Sequence, residues 1–190
     1  MATKKEETST IKKNKKWVQI VSSKEFGNNI IGETYVDDPQ KSIGNVVEIN
    51  LMFVSNDPKR QSNNTKFKIT SYNDNILHTE FIGYYIQKAQ LKRLARTGKD
   101  KFEDSFNYTT KDNLKIKVKP IMITRSKCIK SKISDMRKAS RSFMSELCKK
   151  MEYSELVKEL VSGNLAKEMR NKVNKAGPIG TLIVKSFEKI

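Results

Sequence analysis

An α+β fold, with strand hairpins in a sandwich or barrel and C-terminal helices packed on it, is predicted for this 190-residue chain from three features. Apolar and polar residues alternate in short runs through residues 17–124, the period of half-buried strands. Turn-forming clusters separate these runs at hairpin-like intervals, as at Gly27-Asn28-Asn29, Asp37-Asp38-Pro39 and Asn73 to Asn75. Beyond residue 130 the apolar spacing changes to 3–4 and 7 residues, the period of helices.

Residues 1–16 hold one apolar side chain of size, Ile11, and cannot bury enough surface to offset the entropy of ordering. A disordered basic tail is expected there, followed by one domain over 17–190. Order starts at Trp17, where WVQIVSS puts Val18 and Ile20 on one strand face. Val47, Ile49, Leu51 and Phe53 alternate with Glu48, Asn50 and Met52, which predicts a second strand. A polar loop over 55–64 leads to Phe67 and Ile69 between lysines, and a β-like run from Ile76 to Ile82 follows. Ile86, Ala89, Gln90 and Leu94 predict a helix over 84–96, stopped at Gly98. Leu114, Ile116 and Val118 alternate with Lys115, Lys117 and Lys119, again a strand, and Pro120 confines that point to an edge or a bulge. The helical part is expected over 131–176. In it Ser154 is the expected cap of a helix reaching Val161, and Asn164 the cap of another with Leu165, Met169 and Val173 on one stripe. Gly177-Pro178 ends that helix, and 181–187 reads as a final strand returning to the sheet.

Charge bears on partners rather than on fold. The chain carries 38 Lys+Arg against 21 Asp+Glu, a net charge of +17. Residues 17–87 are net −2, whereas residues 115–141 carry ten basic groups against Asp135 alone. A surface that only keeps a protein soluble intersperses its signs; here they are segregated, which points to a polyanionic partner, most simply nucleic acid. An anionic membrane surface is a weaker match, because the basic helix near residue 90 has too few large apolar groups. No apolar run approaches the ~20 residues of a membrane span, and the polar N-terminus is not expected to be a secretory signal.

Little supports catalysis. No phosphate-cradling glycine motif is present. The single histidine, His78, has no neighbour to complete a triad or a zinc site, and Cys128 and Cys148 form no C-x-x-C pair. They are expected to be reduced and ordinary. Asp37 and Asp38 precede Pro39 and read as turn residues, since a metal site would need more converging carboxylates. Met136, Met144 and Met151 fit core packing better than a partner groove. No cofactor, metal, small-molecule substrate or catalytic residue is expected.

The candidate RNA-binding residues follow the basic runs. In the tail they are Lys12, Lys13, Lys15 and Lys16; on the helix, Lys88, Lys92, Arg93 and Arg96. On one strand face Lys115, Lys117 and Lys119 recur about 7 Å apart, comparable with phosphates along a nucleic-acid strand. Arg125, Lys127, Lys130 and Lys132 extend this surface into Arg137, Lys138 and Arg141. Such contacts reach phosphate and sugar, and so read shape more than sequence. Trp17, beside Lys15 and Lys16, fits either base stacking or a core anchor.

The stretch KKNKKWVQIVSSKEFGNNIIGETYVDDPQKSIGNVVEINL resembles the opening of the archaeal and eukaryotic small-subunit ribosomal family eS-one, also called S-three-A-e, and looks archaeal in type. The shared features are the basic tail, Lys-Trp, Phe26-Gly27, Ile31 to Thr34, Asp-Asp-Pro and Ile43 to Glu48. The likeness continues through Phe81 to Gly83, the Thr110-Lys111-Asp112 turn and LVSGNL, and covers residues 12–187. Asn45, ARTGKDKFED and Ile179-Gly180 depart from the family's arginine-richer pattern. The resemblance implies an antiparallel β-barrel-like body with C-terminal helices packed on it, and a non-catalytic, cytoplasmic protein of the small-subunit platform, near the rRNA 3′ end and the mRNA exit. Its implied partners are small-subunit rRNA, neighbouring platform proteins and mRNA. A free RNA chaperone or translation regulator is the alternative.

Overall fold

The computed structural model describes residues 15–94 and 97–190; Lys12, Lys13 and Arg96, and residues 1–14 of the tail expected over 1–16, lie outside the described residues, while Lys16, the last residue of that tail, already belongs to the first strand. The strands are β1 (Lys16–Val21), β2 (Ile30–Val36), β3 (Val46–Asn50), β4 (Asn63–Asn73), β5 (Ile76–Ile86), β6 (Lys101–Glu103), β7 (Phe106–Thr109), β8 (Lys115–Thr124) and β9 (Ile179–Lys189). The helices are α1 (Leu51–Ser55), α2 (Lys88–Leu94), α3 (Lys130–Lys150), α4 (Tyr153–Ser162) and α5 (Asn164–Asn174). The α+β class expected from the sequence is what forms, with the C-terminal helices on the sheet. The sheet is open and mixed: β1 runs parallel to β5, and the other pairings are antiparallel.

Two long strands organise this sheet. β5 is paired along its length with β4, while its other edge is shared by β1 at Ile76–His78 and by β9 at Gly83–Tyr85. β8 is paired with β9 on one side and shares the other between β7 and β6. Pro120 falls between the β7 and β6 pairings and at a register shift against β9, where its missing N–H breaks no regular ladder. The β4–β5 hairpin closes through Asp74 (φ 49°) and Asn75 (φ 63°). A two-residue turn with positive φ at both positions matches the strand twist, and Asp and Asn tolerate it.

Four local expectations are corrected. The alternation through Phe53 breaks at Asn50, whose side chain accepts the Met52 N–H at 2.9 Å and starts α1. Leu51 and Val54 then face inward while Phe53 is left 70% exposed. β5 continues to Ile86, so the helix expected from residue 84 begins at Lys88. α4 is capped not by Ser154 but by Glu152, in a reciprocal capping box with Glu155. Asn164 is the first residue of α5, and Gly163, at φ 78°, makes the bend between the two helices.

Helices and sheet meet in one core. Phe26, Phe67, Phe81, Tyr153 and Phe187 form a chain of rings, each 5.3–6.5 Å from the next, and Tyr153 donates its hydroxyl to the Phe81 carbonyl at 3.1 Å. α5 buries the expected stripe of Leu165, Met169 and Val173. Met136 and Met144 are fully buried in the core. Cys148 is buried beside them, which pushes its thiol up to about 11. Burial of this kind disfavours the thiolate, the reactive form of cysteine.

Candidate nucleic-acid interface

Lys115, Lys117 and Lys119 alternate with Ile116 and Val118, which are fully buried, so the lysines share the face of β8 turned away from the core. Neighbouring strands bring acids onto that face. One transverse row reads Glu48, Lys66, Gly83, Glu188, Lys117 and Asn107 across β3, β4, β5, β9, β8 and β7. Lys66 lies 2.9 Å from Glu48, and Lys119 4.0 Å from Glu188. Lys189 meets Glu80. Glu103 sits between Lys101 and Lys185 at 2.7 Å each. Hydrogen bonds from Lys101 and then Lys185 hold the Glu103 carboxyl below the usual carboxylate range. Glu48 is lowered in the same way, by Lys66 and then by the Tyr85 hydroxyl. This face is a lattice of mixed sign, in which Lys115 and Lys117 have no carboxylate within 4.0 Å among the described residues.

The segment from Arg125 into α3 is different. Arg125, Lys127, Lys130, Lys132, Arg137, Lys138 and Arg141 are all exposed. Arg125 is tied down: its backbone N–H donates to Pro178 at 3.0 Å and its Nε to Ile179 at 3.3 Å. The loop is held again where Cys128 donates its N–H to Asp100 at 2.7 Å. Two arginines lie against aromatic rings beside the helix. Arg141 stands 4.9 Å from the Phe106 centroid, and Arg137 5.5 Å from Phe102. Cation–π packing of this kind fixes a guanidinium that would otherwise sweep solvent. Arg137 pairs with Asp104 at 3.3 Å and Lys138 weakly with exposed Asp135 at 3.9 Å. Arg125, Lys127, Lys130, Lys132 and Arg141 have no such partner among the described residues.

The electrostatics at the start of α3 go further. The helix opens on exposed Ile129 with no side-chain cap and no acid in its first turn. Lys130 and Lys132 therefore add charge to the positive end of the helix dipole, an arrangement that is unfavourable alone and relieved by an anion.

Elsewhere the candidates are separate. Lys88, Lys92 and Arg93 stand exposed on α2, which is anchored by buried Leu91. Lys15 and Lys16 are exposed at the start of β1, next to Trp17, which is itself 62% exposed and so is not a core anchor. Asp38 accepts the Gln40 N–H at 3.3 Å and starts a short 3₁₀ turn, as its place before Pro39 predicted. His78 is exposed on β5. Sequence reasoning passed over Lys101 and Lys185, which are scattered in the chain and reach the β8 face only through strand pairing.

Comparison with known proteins adds an independent result. Residues 3–189 match the sequence model of the Ribosomal S3Ae family. The chain is similar to the small ribosomal subunit protein eS1 of Staphylothermus marinus, at 30% identity over 88% of this chain and 79% of that protein. It is similar to the eS1 protein of Nanoarchaeum equitans at 27% identity, over 92% of this chain and 88% of that one. For the eS1 protein of Saccharolobus islandicus the identity is 30%, over 88% and 80%.

Proposed function

Because this chain belongs to the ribosomal S3Ae family, a structural rather than an enzymatic one, we propose that it binds small-subunit rRNA on the platform, near the rRNA 3′ end and the mRNA exit. The observation that carries this reading is the set of unpaired cations from Arg125 to Lys132 around the uncapped start of α3, continued by Arg141 about three turns along the helix. Phosphates replace the missing cap and the missing counter-charges there, and each one neutralised releases condensed cations from the RNA. Lys88, Lys92 and Arg93 on α2, and Lys15 and Lys16 at β1, supply further contacts. The mixed-sign face of β8 is a weaker site for phosphate. It suits neighbouring platform proteins, whose own charges can complement both signs. Function lies in positioning RNA, and the chain acts in the cytoplasm as part of the ribosome.

Gradient sedimentation of cell extracts at moderate salt tests this reading. The full chain is expected to travel with the small subunit. A chain left at the top of the gradient, still bound to RNA, would instead make it a free RNA-binding protein.

A further inference from the structure

We propose that Trp17 and Tyr35 form a stacking platform for an unpaired RNA base, an inference that rests on the RNA-binding reading and adds to it a contact with a base rather than with phosphate. The two residues are directly paired across β1 and β2, which puts both rings on one face of the sheet. Their centroids are 5.0 Å apart with the planes tilted by 37°. On the opposite face Val18 and Ile20 are buried against Ile69 and Leu77. The strand is thus anchored from below and holds Trp17 outward. Trp17 remains 62% and Tyr35 52% exposed, so the ring pair covers only part of itself and no described element covers the rest.

Charge selects the occupant. The Lys15 ammonium lies 5.8 Å from the Tyr35 centroid, and Lys16 is exposed beside Trp17. A flat aromatic face flanked by cations is the chemistry that takes a nucleobase: the ring stacks and the cations meet the phosphates on either side. A protein partner favours an apolar centre depleted of charge. Here exposed Gln19 and Glu33, paired across the same two strands, continue the platform instead. Strand-borne aromatics open to solvent are also how sheet surfaces receive single-stranded RNA in general.

Trp17 is the sole tryptophan of the chain, so its fluorescence reports this site alone. The full chain is titrated with a labelled oligoadenylate and with an abasic oligomer of equal length. Indole emission is followed together with the anisotropy of the label. Oligoadenylate is expected to quench Trp17, while the abasic oligomer binds without quenching. Trp17→Ala should weaken oligoadenylate binding roughly 5- to 150-fold, Tyr35→Ala should act in the same direction, and Trp17→Phe should retain most of the affinity. Circular dichroism checks that each variant is folded. Equal affinity for the two oligomers, with equal quenching or none, would overturn the platform, leave phosphate binding standing and assign the patch to a protein partner. Failure of both oligomers to bind would overturn the platform and the RNA-binding reading together.

Discussion

Raising the salt from 50 to 200 mM is expected to weaken binding of the full chain to small-subunit rRNA by about 10³–10⁵-fold. The argument is one of counterions. Arg125, Lys127, Lys130, Lys132 and Arg141 are exposed, and no carboxylate stands within salt-bridge distance of them among the described residues. With Lys88, Lys92, Arg93, Lys15 and Lys16 they are enough to meet roughly six to ten phosphates, and the range follows from that number on the duplex-DNA slope. Anisotropy titrations across a salt series measure it. Lys130→Gln should lower the log–log slope by about one. Trp17→Ala should weaken binding and leave the slope as it was. A flat response would mean that the cations are solvated and unused.

Phe81→Ala is expected to destabilise the fold by about 3–5 kcal/mol. Phe81 is fully buried and touches Phe26, Phe67 and Tyr153, so it joins β4, β5, α4 and the turn before β2. Its own carbonyl also receives the Tyr153 hydroxyl. Neither helix nor sheet can collapse into the space left by the ring without giving up other contacts. For a chain of this size the midpoint of thermal unfolding should fall by about 6–20 °C, read by circular dichroism. Phe53→Ala is the control: that ring is 70% exposed, and its loss should stay within about 0.5 kcal/mol. Equal effects at the two positions would contradict the packing described.

What could be read from the sequence was what depends on local pattern. Alternation located the buried faces of β1 at Val18 and Ile20, of β4 at Phe67 and Ile69, and of β8 at Ile116 and Val118. Turn chemistry located the Asp74-Asn75 hairpin, and helical spacing the stripe of α5. Pattern failed where two periods fit the same residues. Leu51 and Phe53 continue an alternation, yet Leu51 and Val54 are also one helical turn apart, and the Asn50 cap decides for the helix. Partners distant in sequence were out of reach as well. The parallel pairing of β1 with β5 joins residues 57 apart, such as Gln19 and Ile76, and no local signal encodes it.

The candidate interface divides along the same line. Cations on the loop and on α3 are legible because the surrounding sequence holds almost no acids. Those on β8 read as a phosphate ladder in sequence, but Glu188 comes from a strand some seventy residues later and changes the sign pattern. Trp17 fitted two environments equally, because its exposure depends on whether a second layer covers that face of β1, which is a tertiary fact.

The central claim is that unpaired cations around the start of α3 hold the chain in the small subunit. The most direct measurement is the occupancy of a variant with Lys127, Lys130, Lys132 and Arg141 all changed to Glu, quantified by mass spectrometry of purified small subunits. These side chains are exposed and outside the core, and of the four only Arg141 packs on a ring, that of Phe106, so the variant should still fold, with a melting temperature lowered by about 2–4 °C. The account predicts subunits depleted of the variant and unbound protein in the extract; normal occupancy in subunits washed at moderate salt would contradict it.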